Sequence, residues 1–200
     1  MSAPVFAPWG ELVPHEGLLT DDDLLALPDD GKMYELMEGR LLRMSPSGGT
    51  ATLLGVKLSS ILYAFVSPHG LGAISGADGE YVLSKPGAPV TALAPDIGFV
   101  RADRVPPRDS PIHDKAWPLA PDLAVEVASP NQYRPGMATK AQVYLSSGVR
   151  LVWVVWPKRR EVDIWHPGDT KPSRTLRMGD ALDGEDVLPG FSYSLDQLFA

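Results

Sequence analysis

Residues 121–130 have the sequence PDLAVEVASP, and this stretch decides the fold more than any other part of the chain. A short apolar run between two prolines is typical of a buried strand. Alternation places Glu126 on the same face as Ala124 and Ala128, opposite the bulky aliphatic residues of the run. A carboxylate inside such a run is costly unless it is paired or bound to a metal, and the small alanines leave space beside it. Glu126 is therefore the first candidate functional residue.

The rest of the second half has the same character. Short runs rich in β-branched and aromatic residues, bounded by Pro and Gly, predict strands at residues 73–83, 96–100, 123–128, 151–156 and 161–165. Between the third and fourth strands, Pro135 suits an early helical position and Gly148 suits a helix C-terminus. The order strand, helix, strand predicts an α/β (α+β) fold with a mixed central sheet flanked by helices.

The first half predicts an N-terminal helix and a β-hairpin. Residues 1–19 are Pro-containing and aperiodic, so we expect an irregular arm before a single domain at 20–200. Thr20 followed by three aspartates predicts a capped helix start. Two short strands, 34–37 and 40–44, are predicted to turn at Glu38 and Gly39, and apolar spacing after Thr50 predicts a helix of about four turns.

Composition excludes several classes of protein. The chain has 200 residues, 44% of them hydrophobic, and no cysteine, which excludes disulfides, thiolate zinc sites and a cysteine nucleophile. We identify neither a secretory signal nor an apolar run of about 18 residues, so we expect a cytoplasmic protein without a membrane partner. The long Pro-rich connection at 106–121 is a candidate binding loop.

The charge is unevenly distributed. The net charge of −7 argues against a protein that coats nucleic acid with a uniformly basic surface. Residues 101–160 nevertheless hold ten basic and five acidic residues, a net charge of +5, while the remainder carries −12. Such a segment suits a phosphate ligand or is simply solvated surface.

A second acid accompanies Glu126. Asp96 opens the predicted strand at 96–100, and Gly98, next on its face, adds little bulk. Two acids at neighbouring strand ends are a candidate site for a hard cation, because Mg²⁺ takes oxygen ligands and keeps several waters. The alternative for each residue is a local salt bridge or cap.

A lysine completes the candidate set. Lys140 lies three residues after Met137 and four before Tyr144 on the predicted helix, so it shares a flank with residues that face the sheet. A lysine near carboxylates would orient a water or stabilise developing negative charge on a phosphate.

These segments together carry a family resemblance. The succession YELMEGRLLRMSP, APDIGFV, PDLAVEVASP, VYLSSGVRLVWVVWP, EVDIWHPG and LPGFSYSLDQLF resembles the Uma family of restriction-type endonucleases, a branch of the PD-(D/E)XK nuclease superfamily. It extends from about Thr20 to the C-terminus. The resemblance implies a restriction endonuclease-like core of four mixed strands, flanked by helices, with a divalent metal at the strand ends.

The resemblance also implies residue roles. Asp96 and Glu126 match the metal-binding acids, and Lys140 matches a lysine that this branch supplies from the following helix, since Ala128 stands two residues after Glu126. A further acid is either Glu35 or Glu38. The implied chemistry is hydrolysis of DNA phosphodiester bonds with Mg²⁺ or Mn²⁺, and a homodimer suits cleavage of both strands.

Two other functions remain open. A histidine is common in this branch at the start of the first core helix, where this chain has Thr50 or Ala51. Together with the displaced lysine and the net charge of −7, this favours an alternative: a catalytically inactive nuclease-fold protein that binds nucleic acid or protein. A purely structural or interaction protein is the third interpretation.

Overall fold

The computed structural model describes residues 9–200, and within them the chain forms several sheets and four α-helices. The strands, in chain order, are β1 (Glu11–Leu12), β2 (Tyr34–Met37), β3 (Arg40–Arg43), β4 (Gly72–Ser75), β5 (Tyr81–Val82), β6 (Ala92–Leu93), β7 (Ile97–Arg101), β8 (Leu123–Val127), β9 (Leu151–Trp156), β10 (Glu161–Trp165), β11 (Arg174–Leu176), β12 (Ala181–Asp183) and β13 (Ser192–Ser194). The helices are α1 (Asp21–Leu25), α2 (Gly49–Val66), α3 (Arg134–Ser146) and α4 (Leu195–Leu198). Short 3₁₀ turns occupy Pro111–Asp114 and Pro157–Arg159.

The central sheet has six strands in the order β11-β10-β9-β8-β7-β4. Strands β8 and β9 run parallel, and every other pair in this sheet is antiparallel. Parallel neighbours need a crossover, and α3 is that crossover. The predicted mixed α/β architecture is therefore confirmed.

The two faces of β8 belong to different parts of the core. Leu123, Val125 and Val127 pack with α2, α4 and the C-terminal segment. Ala124 and Ala128 face the other side, where α3 and the strands β3, β5 and β6 lie. The predicted alternation is confirmed, because successive residues of β8 belong to clusters on opposite faces of the sheet.

Helix α2 covers one face of the central sheet. Leu58, Leu62 and Val66 are buried at helical spacing, which confirms the predicted apolar face. By length and composition alone this helix is also apolar enough to cross a membrane, which the sequence prediction had not anticipated. In the structure, the apolar residues on the inner face of this helix pack against the central sheet.

The N-terminal elements form a second sheet, with strands in the order β1-β3-β2-β6-β5. The predicted hairpin is present, and its turn uses Glu38 (φ 50°) and Gly39 (φ 73°), both left-handed as a tight hairpin turn requires. Helix α1 begins with the predicted capping box: the Asp23 amide donates to the Thr20 hydroxyl, and the Asp23 carboxylate accepts from the Thr20 amide.

The predicted strand at 73–83 is wrong as one element. Its two ends are β4, at the edge of the central sheet, and β5, in the N-terminal sheet. A turn separates them, in which the Gly79 amide donates to the Gly76 carbonyl over 2.9 Å. Glycines at these positions let the chain leave one sheet and enter the other.

The predicted arm is only partly irregular. Residues 1–8 lie outside the described residues, but Glu11–Leu12 form β1, paired with the end of β3. The connection at 106–121 also has local order, because Trp117 makes an isolated bridge to Tyr81 at the edge of the N-terminal sheet. Its proposed role as a binding loop stays a prediction.

Candidate active site

A buried lysine lies between two carboxylates where the N-terminal sheet meets the central sheet. The Lys140 ammonium is 2.9 Å from Glu35 Oε1 and 2.9 Å from Glu126 Oε1. The exposed fractions are 1% for Lys140, 2% for Glu35 and 5% for Glu126. Charges buried this deeply persist only when they are paired, so the three side chains form one unit.

Three elements bring these groups together. Glu126 is on β8, on the face that looks toward α3. Lys140 is on the inner face of α3 with Met137 and Tyr144, as the helical spacing predicted. Glu35 comes from β2 of the other sheet, 105 residues away from Lys140 along the chain.

Asp96 lies beside this unit. Ile97 pairs with Val125 in the antiparallel β7–β8 ladder, so continuing the register by one residue sets Asp96 opposite Glu126. Directly opposite side chains in such a pair have Cβ atoms about 4.5–5.5 Å apart. Asp96 Oδ2 accepts a hydrogen bond from the Val127 amide at 2.6 Å, which fixes the side chain at the strand end. Asp96 also lines a cleft of about 870 Å³ beside α2.

Glu38 is not part of this arrangement. It is exposed in the β2–β3 turn, and its backbone amide donates to the Thr91 hydroxyl at 3.1 Å. Glu35 lies within β2, both faces of which are covered, whereas Glu38 lies in the exposed turn. Of the two acids left open by the sequence, the structure brings only Glu35 to Lys140.

The space predicted beside Asp96 is already filled by protein. A Cβ atom at Gly98 would lie 2.5 Å from the Tyr81 hydroxyl and 2.7 Å from Ser75 Oγ. These two hydroxyls share a hydrogen bond of 2.8 Å. Gly98 therefore admits a side-chain pair from neighbouring elements, and the open side of Asp96 is the α2 cleft.

Two further residues hold the carboxylates, and the sequence analysis missed both in this role. The Tyr144 hydroxyl donates to Glu126 Oε1 at 2.7 Å, and the Trp9 indole donates to Glu35 Oε2 at 3.1 Å. Tyr144 lies one helical turn after Lys140, a spacing that could have indicated its position. Trp9 lies in the predicted arm, where no local pattern indicates a contact.

Burial governs the protonation of the group. It raises the pKa of Glu126, although the Lys140 ammonium opposes the change, and it raises the pKa of Asp96 against the Val127 hydrogen bond. Burial alone would lower the pKa of Lys140, but Glu126 and Glu35 outweigh it and raise that pKa. The lysine is therefore held in its charged form.

Not every carboxylate oxygen is used by the protein. Within residues 9–200, Glu126 Oε2 and Asp96 Oδ1 accept no hydrogen bond, and neither is a fully buried atom without a partner. No group of three or more His, Cys, Asp or Glu side chains in this part of the chain is arranged to hold a metal ion. The carboxylate oxygens that the cluster leaves free for a ligand belong to two acids, Asp96 and Glu126.

Comparison with known proteins places the chain in a family. The family model Uma2, described as "Putative restriction endonuclease", matches residues 21–196. The chain is also similar to a crystal structure described as a "putative nuclease" from Anabaena variabilis, with a TM-score of 0.73 and 18% identity over 90% of this chain and 97% of that one. At this identity the similarity shows the fold alone. No curated protein matches the chain. Because the family model spans most of the sequence, the protein belongs to the Uma2 family.

Proposed function

We propose that the protein is a divalent-metal-dependent endonuclease that hydrolyses DNA phosphodiester bonds. The observation that carries the proposal is the Lys140 ammonium buried between Glu35 and Glu126, with Asp96 opposite Glu126 on the next strand. Family membership supports the same class of activity. The mixed central sheet with α2 and α3 on its two faces supports a restriction endonuclease-like core.

The donor set fits a hard divalent cation. With Glu35, Asp96 and Glu126 all ionised and Lys140 protonated, the cluster has a net charge of −2. A divalent cation would neutralise that charge. Mg²⁺ and Mn²⁺ prefer carboxylate oxygens, and Mg²⁺ is commonly held by one or two carboxylates with water completing the shell. Asp96 and Glu126 would hold the ion through the oxygens that no protein group uses.

Each residue of the cluster has a distinct role in this proposal. A bound metal supplies charge neutralisation at the phosphate and lowers the pKa of a water. Lys140 stabilises negative charge that develops on the phosphate and orients the attacking water. Glu35 holds the Lys140 ammonium in place, and Tyr144 fixes Glu126 by its hydrogen bond to Oε1. No covalent intermediate with the protein is required.

A second candidate function is a binding module that has lost cleavage. The observation in its favour is that Lys140 is already engaged by two carboxylates, and that no three-acid metal group occurs between residues 9 and 200. The family resemblance leads us to expect a histidine at Thr50 or Ala51, and of these two positions Ala51 is buried and lines the same cleft as Asp96. This candidate predicts DNA binding without hydrolysis.

Plasmid cleavage separates the two. Purified protein is incubated with supercoiled plasmid and Mg²⁺, Mn²⁺ or EDTA, beside Glu126→Gln and a control variant, Glu16→Gln, which changes an exposed acid. We expect metal-dependent nicking by the wild type and by the control, and none by Glu126→Gln. Equal nicking by Glu126→Gln would place the activity elsewhere, and no nicking in any condition would favour the binding module.

A further inference from the structure

A second groove adjoins the candidate active site. It has a volume of about 540 Å³ and lies between the first turn of α2, the loop after β8 and the turn between β9 and β10. We call it the basic groove and define it by Ala51, Ala128, Tyr133, Trp156, Lys158 and Arg159. Its volume is within the range of about 300–1,000 Å³ that ligand clefts commonly have.

The groove is continuous with the site in two ways. Ala51 lines both the groove and the cleft that contains Asp96. Ala128 follows Glu126 by two residues on the same face of the chain, a distance of about 6.6 Å at the rise of an extended strand. A polymer that crosses the Asp96 and Glu126 carboxylates would therefore enter the groove next.

The charge of the groove is unusual for this chain. No acidic residue lines it, although the protein carries a net charge of −7. Lys158 and Arg159 form no salt bridge within residues 9–200, whereas ten of the other sixteen Lys and Arg side chains do. Arg134 also lines the groove, but its guanidinium is committed to Asp163 and Glu161. Two cations are thus left without protein partners at the rim.

An aromatic side chain completes the lining. Tyr133 is 53% exposed, and its hydroxyl makes no hydrogen bond within the described part of the chain. A large aromatic exposed to water next to unpaired cations is the combination that binds the bases and phosphates of a nucleic-acid strand. Trp156, in contrast, is buried, and its indole donates to Asp163.

We propose that the basic groove binds the DNA strand on the Glu126 side of the cleavage site. Lys158 and Arg159 contact backbone phosphates, and the Tyr133 ring packs against a base or sugar of the same strand. The proposal rests on the proposed function, since it takes DNA as the substrate. It assigns a role to a basic turn that would otherwise be solvated surface.

Salt-dependent DNA binding tests the cations. The probe is a fluorescent short duplex, with the corresponding single strand in parallel, in EDTA so that no cleavage occurs. The variant is Lys158→Glu with Arg159→Glu. The control, Lys85→Glu with Arg108→Glu, makes the same change in net charge at two exposed cations that form no salt bridge and do not line the groove.

We expect the groove variant to weaken duplex binding about tenfold or more and to reduce the slope of log affinity against log salt by about two, because each lost phosphate contact removes about 0.9. The control should stay within about threefold of the wild type, since charges far from the strand are largely screened. Equal melting temperatures would establish that both variants are folded.

Tyr133 gives an independent readout. Tyr133→Ala should weaken binding about fivefold or more without a change in the salt slope, and Tyr133→Phe should bind like the wild type. Neither change removes a helix cap, because the Tyr133 side chain makes no capping hydrogen bond at the start of α3.

The outcomes separate this proposal from the proposed function. If the wild type binds DNA and the groove variant keeps the wild-type slope and affinity, the groove is not the binding surface, while the nuclease proposal stands. If the wild type binds neither probe at low salt, the groove proposal fails, while the plasmid cleavage assay, which contains the metal, still tests the nuclease proposal. A groove variant and a control that weaken binding equally would show a general charge effect and would overturn the assignment of the groove.

Discussion

Helix α3 carries two ionic clusters, and they differ in what they leave unused. At its start, Arg134 meets Asp163, whose Oδ1 accepts from Arg134 and the Thr175 hydroxyl and whose Oδ2 accepts from Arg134 and the Trp156 indole. Both oxygens of this buried carboxylate are fully engaged. Six residues later on the same helix, Lys140 meets Glu126, which keeps one oxygen free of hydrogen bonds from the described residues.

This difference separates a structural cluster from a candidate functional one. A fully satisfied buried network fixes packing and has no capacity for a ligand. A cluster in which several carboxylates are buried close together and some of their oxygens have no protein partner costs stability, a cost that proteins commonly accept at functional sites. Isosteric substitution of one acid in each cluster should therefore have opposite consequences for stability and for metal binding.

The largest effect is expected at the structural cluster. Asp163→Asn removes the charge that pairs with Arg134 and sets an amide NH₂ against donors. We expect the free energy of unfolding to fall by about 3 kcal/mol, at the lower end of the range for a broken buried pair because Arg134 is partly exposed. Urea denaturation followed by far-UV circular dichroism measures this. A loss below about 1 kcal/mol would remove the distinction between the clusters.

Asp96→Asn should behave differently. The amide oxygen can still accept from the Val127 amide, and one of several like charges disappears, so the metal-free variant should unfold within about 1 kcal/mol of the wild type. Mn²⁺ at 100 times its dissociation constant should stabilise the wild type by about 2.7 kcal/mol and should not stabilise the variant. A thermal shift series with Mn²⁺ decides this. If Asp163→Asn shows the same Mn²⁺ shift as the wild type, the Arg134–Asp163 cluster plays no part in metal binding. A shift retained in Asp96→Asn would exclude Asp96 as a ligand.

Tyr144→Phe should affect both properties. It removes the hydrogen bond to Glu126 Oε1, and such bonds to charged groups contribute about 1.5–3 kcal/mol. We expect a loss of stability near the lower value and a weakening of Mn²⁺ binding by about tenfold, as for partners that orient a metal ligand. Isothermal titration with Mn²⁺ measures the second effect. Unchanged Mn²⁺ affinity with reduced stability would assign Tyr144 a packing role only.

The smallest effect concerns an acid outside both clusters. Glu80 is partly buried, and its carboxylate accepts no hydrogen bond from the described residues. Burial, with a smaller contribution from the nearby Glu35, raises the pKa of Glu80 to about 7. Because the folded state holds this proton more tightly than the unfolded state does, Glu80 reduces stability as the pH rises from its ordinary pKa through 7.

Glu80→Gln should therefore raise the melting temperature at pH 8 by about 2–4 °C, an increment of about 1 kcal/mol after allowance for partial exposure. At pH 4 the two proteins should melt together. Differential scanning calorimetry at both pH values is the measurement. An equal gain at pH 4 would attribute the effect to packing instead of to ionisation.

Several features of the fold follow directly from local pattern. The alternation in residues 123–127 gave the two faces of β8, and the spacing of Lys140 and Tyr144 gave the inner face of α3. The capping box at Thr20 and the turn at Glu38 were also predicted, because each depends on neighbours within four residues. Such patterns reflect backbone geometry, which is the same in any fold.

Other features had no local signature. The segment at 73–83 has one composition but contributes strands to two different sheets. Trp9 reaches Glu35 from a segment without periodicity. These contacts depend on how two sheets stack, and stacking is decided by the total apolar area covered and by shape, not by any short run of residues.

The candidate site shows the same division. The sequence by itself determined that Glu126 sits on an apolar strand among small residues, that Asp96 opens the neighbouring strand and that Lys140 faces the sheet. Only the tertiary structure decided that Glu35, and not Glu38, completes the cluster, since Glu35 and Lys140 are 105 residues apart and meet where the N-terminal sheet packs on α3. Periodicity fixes the direction of a side chain within its own element, whereas the partner it meets depends on the packing of whole elements against one another.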